Sequence, residues 1–204
     1  MLVPAPFVTY LAKELAKRLA RQSGCVFNRP EQVADAFESI VLDALILEDE
    51  INAEARALLA QYNDYIREQS ISYYEMFSRV KRKILAERKV VSAAARGPGP
   101  RIMKLHRDKV LEISHKLAST IPRIPGSRMS QGWNKTRLEI QRHLTDILTL
   151  EERSDRLAKQ KIISQQREIP EGSEEWQVLH RNYYEEELKK YGVHLQWEMH
   201  EPAT

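Results

Sequence analysis

Glycine is scarce in this sequence, seven among 204 residues, and the only cluster is Gly97-Pro98-Gly99-Pro100. That scarcity argues against a turn-rich β-sandwich and against a nucleotide fold with a glycine-rich phosphate loop. Cysteine is scarcer still. Cys25 alone cannot form an intrachain disulfide, which fits a reducing compartment. The first half has no histidine. His106, His115, His143, His180, His194 and His200 all follow residue 100, and none forms the H-x-x-x-H pair by which zinc sites declare themselves. No apolar run approaches the roughly 20 residues of a membrane span. Residues 1–6 show no basic leader, so a cytoplasmic chain is expected. Charge of one sign is lacking too: the net value is +3, spread over both halves.

What the sequence does have is helical periodicity. Phe7, Leu11, Leu15 and Leu19 recur every fourth residue, a first helix with Gly24 at its end. Asn28, before Arg29-Pro30-Glu31, has capping-box spacing, and the helix behind it carries Val33, Phe37, Ile40, Val41, Ala44 and Leu45. Glu48-Asp49-Glu50 then reads as the acidic start of a third helix with Ile51, Ala55, Leu58 and Leu59 on its stripe. Ser72 and Glu75 cap a fourth, with Tyr73, Phe77, Val80, Ile84 and Leu85 on one face and Arg79, Arg82, Lys83 and Arg88 on the other.

Residues 92–101, with two Gly-Pro pairs, cannot continue a helix and read as a linker. Beyond it the pattern returns, thinner. Residues 112–118 line up with 14–20, and Ile140, Leu144, Ile147 and Leu148 reproduce the Phe37, Val41, Ala44 and Leu45 series. Ser173 caps a last helix in which Trp176, Leu179 and Arg181 follow Tyr74, Phe77 and Arg79 by 102 positions. The expected fold is all-α: two tandem bundles of about four helices each, 1–91 and 102–204, related by internal duplication. A short extended C-terminal tail follows Gly192, where Val193, Leu195, Trp197 and Met199 alternate with polar residues.

Residues 47–59 and 73–88 carry a resemblance. Glu48, Glu50, Asn52, Glu54, Arg56, Leu58 and Leu59, followed by Tyr73, Met76, Phe77, Lys81, Leu85, Ala86, Glu87 and Arg88, resemble a bacterial family catalogued as domain of unknown function 507. The second half fits that pattern in outline only, with Arg153 for Glu50 and Leu179 for Phe77. The resemblance implies an all-helical fold and a bacterial setting. It supplies no activity and no catalytic residue.

No catalytic, cofactor or metal residue is expected. Cys25 has no histidine in its half to activate it, and the paired acids have a reason to stand at helix starts. The expected role is a non-enzymatic interaction or scaffold module for another protein, with Tyr62, Tyr65, Tyr73, Tyr74, Trp176, Tyr183 and Tyr184 as aromatic anchors. The alternative is association with RNA or DNA, with Arg79, Arg82, Lys83 and Arg88 on phosphates.

Overall fold

The computed structural model describes residues 3–61, 73–88, 105, 107–165, 167, 169–170 and 173–197, without the side chains of Glu48, Tyr73 and Tyr74. Tyr62, Tyr65, Ser72, His106, His200 and the linker 92–101 lie outside these residues. Helix α1, Ala5–Gln22, buries Phe7, Val8, Leu11, Ala12, Leu15, Ala16 and Leu19 as one unbroken face. Gly24 follows at φ +63°, and β1, Cys25–Phe27, comes next.

Helix α2 runs without interruption over Pro30–Ala60. The expected break at Glu48-Asp49-Glu50 is corrected: residues 31–60 contain neither proline nor glycine, and glutamate is a good helix former, so nothing stops the ladder. At 31 residues α2 is about 46 Å long, too long for a small bundle to cover. Its second half therefore projects and packs with α3, Tyr73–Glu87, through Ile51, Ala55, Ile84 and Leu85. The capping box expected at Asn28 is also absent, since no side chain caps α2.

The second half repeats this order. Helix α4, Arg107–Thr120, leads through a 3-10 turn, Ile121–Arg123, into β2, Ser127–Met129. Helix α5, Trp133–Ile163, again has 31 residues, and α6, Glu174–Lys189, packs on its second half. Ser173 caps α6 as expected, its Oγ accepting from the Trp176 amide at 3.2 Å. Each half thus holds three helices among the described residues, not four. Val193 is buried and Leu195 and Trp197 lean on the core, so residues 193–197 cover apolar surface instead of pairing as a strand, and Met199 lies outside the described residues.

The expectation of one core per bundle is corrected as well. A single cluster takes in Phe7, Leu11 and Leu15, Phe37 and Val41, Ile113 and Leu117, Ile140 and Leu144, with Tyr184 and Leu188. Helix α1 packs on α5 as well as on α2, and α2 packs on α4. Amphipathic stripes this wide bury more by facing both neighbours than by closing within each half.

The halves meet at an antiparallel ribbon that periodicity did not announce, because each strand has only three residues. Cys25 pairs with Met129, Val26 with Arg128 and Phe27 with Ser127. Adding 102 to any residue of β1 gives a residue of β2, so the register has a local two-fold axis at Val26 and Arg128. The flanking bonds obey it: the Asn28 amide donates to the Gly126 carbonyl at 3.2 Å, and Ser130 to Gly24 at 3.4 Å. The same shift carries Val8, Leu11, Leu15 and Leu19 onto Val110, Ile113, Leu117 and Ile121, all buried. This moves the sequence-based alignment of the first helices by one turn. A shift of 103 matches Phe37, Val41, Ala44 and Leu45 to Ile140, Leu144, Ile147 and Leu148, and Ile84 and Leu85 to Glu187 and Leu188. Tyr73 thereby takes Trp176 as counterpart in place of Tyr74.

Candidate functional site

Two places gather the functional side chains. The first is the arm made by α3 and the second half of α2. The apolar side of α3 is used on Ile51 and Ala55, which turns the basic side outward. Arg79, Arg82 and Lys83 are exposed and line a shallow cleft of about 300 Å³ with Ala86. Arg79 bonds Glu75 at 2.7 Å and Lys83 lies 4.0 Å from Glu87, both along their own helix. Arg88 turns to α2, where it meets Glu54 at 2.6 Å. Three of the four expected cations are therefore brought together in the open, and the fourth ties α3 to α2. Exposed pairs of this kind contribute about 0.2–1 kcal/mol, so water and ligands compete with them easily.

The second place is the matching arm, α5 with α6, where polar side chains replace apolar ones in the interior. Tyr184 is 1% exposed, and its hydroxyl donates to Glu151 at 3.0 Å. Burial, reinforced by the Glu151 charge, pushes the phenol far above its ordinary value and keeps it a donor. One turn along, His180 Nε2 lies 2.8 Å from Asp155, which also takes Lys159 at 2.9 Å. Trp176 and Tyr184 stack on the His180 ring, one turn before and one turn after it. Glu187, 3% exposed, is held by Lys190 at 2.7 Å and Lys161 at 2.9 Å, and these ammonium groups keep its carboxyl below the usual range. This is a zipper of committed pairs along two facing helices.

Of the expected anchors, Trp176 is half-buried against His180. Tyr183 is half-buried too, its oxygen accepting from Gln165 at 2.8 Å with Lys161 over its ring. Tyr73 and Tyr74 stand in the first turn of α3. Glu151, Asp155, His180 and Tyr184 were not foreseen as a group. Their signal was present as rows spaced by four, 151 and 155 on one helix and 176, 180 and 184 on the other. Cys25 lies in β1. It is 4% exposed, and burial raises its thiol above the ordinary value. No group of three or more metal-ligating side chains occurs among the described residues. No helix among them is long and apolar enough to cross a membrane.

A single family model, Protein of unknown function (DUF507), matches residues 1–193. The chain belongs to that family. The match runs through both halves of the chain. Among curated proteins none matches the chain.

Proposed function

We propose that this DUF507 protein is a non-enzymatic interaction module that docks an acidic segment of another protein on the α2–α3 arm. The observation that carries the reading is the trio Arg79, Arg82 and Lys83, exposed side by side along α3 around one shallow cleft. Opposite charge across such a face steers encounter and fixes orientation more than it adds affinity. In the other arm the positions corresponding to Arg79 and Arg82 under the shift of 103 are Asn182 and Glu185, so the two arms suit different partners. A photo-crosslinker at Ala86, used in extract of the native cell with and without R79E/R82E/K83E, tests this. Expected is one recurrent acidic partner, lost on charge reversal. Capture unchanged by the reversal overturns it.

The same open face supports a second reading, a phosphate backbone laid along Arg79, Arg82 and Lys83. There each contact would add about −0.9 to the slope of log affinity against log salt. On ancestry, we infer that residues 1–91 and 102–204 descend from one duplicated unit joined through 92–101. The shared shift of 102–103 residues and the two-fold ribbon support this. A fused pair that shares its core keeps one arm per ancestral unit, and each arm is free to drift to its own partner.

A further inference from the structure

Away from both arms, the ribbon end of the body has a charge distribution unlike the rest of the chain. Residues 15–30 and 113–138 contain no aspartate or glutamate, although the chain as a whole holds 29 acids against 32 lysines and arginines. The β1–β2 pairing brings these two stretches together at one end. Arg21, Arg29, Arg123, Arg128 and Lys135 are all exposed there, and among the described residues none has an ion-pair partner. Helices α2 and α5 begin at this end while α1 and α4 finish there, so their dipoles oppose each other and the positive field comes from side chains.

The arrangement has the local symmetry of the ribbon. Arg21 and Arg123 are counterparts under the shift of 102, and Val26 and Arg128 occupy the axis, facing outward as the middle residues of their strands. Val26 is 52% exposed, an apolar side chain left in water at the centre of a cationic surface.

We propose that this end is a docking surface for double-stranded DNA, with the ribbon directed to the major groove and the two-fold-related arginines on the phosphates of opposite strands. Three features on this surface fit that occupant. A B-form major groove admits a two-stranded ribbon, whereas the deep, narrow groove of an RNA duplex does not. A duplex has two-fold axes relating its strands, so one surface with paired arginines meets both strands alike. Arg128 and Val26 are the side-chain types that meet a guanine edge and a thymine methyl. The proposal does not depend on the α2–α3 arm.

Fluorescence anisotropy with a labelled generic 20-base-pair DNA, the RNA duplex of the same sequence and a polyglutamate peptide tests it on the full chain. Wild type is compared with R21Q/R123Q/R128Q and with the arm variant R79Q/R82Q/K83Q. Four phosphate contacts, from Arg21, Arg29, Arg123 and Lys135, give a salt slope of about −3.6, so raising salt from 50 to 200 mM weakens binding by about 10²-fold. The ribbon-end variant, which removes two of those contacts and the base-edge arginine, flattens that slope by about 1.8, and the arm variant leaves it unchanged. Circular dichroism and unchanged thermal midpoints show that these surface variants remain folded. No DNA binding at 50 mM salt, a slope indifferent to the ribbon-end variant, or a preference for RNA duplex or polyglutamate overturns the proposal. DNA binding lost only in the arm variant also overturns it, and supports the nucleic-acid reading of the arm instead.

Discussion

Val26 pairs with Arg128, and each is the other's counterpart under the shift of 102 residues. Such a self-matched pair needs both strands to enter at the same angle. Gly24 at φ +63° and Gly126 at φ +76° provide that entry. At Gly126 an added Cβ would also meet the Asn28 side chain at 2.8–3.0 Å. Gly126→Ala is expected to cost about 1–3 kcal/mol. Gly192→Ala, which has the same φ sign but open space around it, should cost about 1–2 kcal/mol, less than Gly126→Ala. Urea midpoints decide, and equal values for the two variants would contradict the close approach.

Lys109 is 1% exposed and stands where Phe7 stands in the other half. Its Nζ reaches Glu112 at 3.0 Å, and Lys116 reaches the same carboxylate at 2.7 Å. Burial alone would raise Glu112, but the bonds from Lys116 and Lys109 outweigh it and hold the carboxyl below its ordinary 4.5. Glu112→Ala strands a buried ammonium and should cost about 3 kcal/mol, the low end for a buried pair because Glu112 keeps partial access to water. Lys116→Ala should cost under about 1 kcal/mol. Lys109→Met, which restores an apolar residue, is expected to be neutral or stabilising. Chemical denaturation of the three variants measures the ranking.

His143 is buried in α5, 3.7 Å from Glu139. Burial first, then Arg142 and Arg18, holds its pKa below the ordinary 6.5, against a smaller opposing pull from Glu139 and Asp146. The unfolded chain therefore takes up this proton before the folded one. The stabilisation is complete above about pH 6.5 and is lost as pH falls from there through the folded value. His143→Leu should flatten this fall between pH 7 and pH 5.5 and leave the acid limb below pH 4.5 in place. Thermal midpoints across that range test the sign.

The Tyr184 hydroxyl bonds Glu151 inside the second arm. Tyr184→Phe keeps the ring and its packing and removes only that donor, with an expected cost of about 1–2 kcal/mol. A calorimetric midpoint equal to wild type would show that the bond is replaced without loss.

The stripes of α1 and α2 were legible because a core helix writes its buried face at spacings of three and four, as Leu11, Leu15 and Leu19 do. The sequence reads α2 as two helices because Glu48-Asp49-Glu50 has the chemistry of a helix start. A start also needs a preceding break, and none exists there. The ribbon was illegible: Val26 and Phe27 are too short a run to show alternation, and their partners lie 102 and 100 residues away. The second arm stayed hidden for another reason. Asp155, His180 and Glu187 face inward at positions where the first half has Asn52, Phe77 and Ile84. Polarity alone assigns such residues to solvent until their partners are in place. The open face of Arg79, Arg82 and Lys83 was readable from spacing, but its exposure required knowing what α2 presents to it.

Native-state amide exchange on Leu15→Ala tests the shared core most directly. Leu15 is fully buried in α1, and the truncation should cost about 2–5 kcal/mol. If one core serves both halves, the most protected amides of α5, around Leu144 and Ile147, lose the same opening free energy as those of α1 and α2. Loss confined to residues 5–60, with α4 and α5 unchanged, would contradict it.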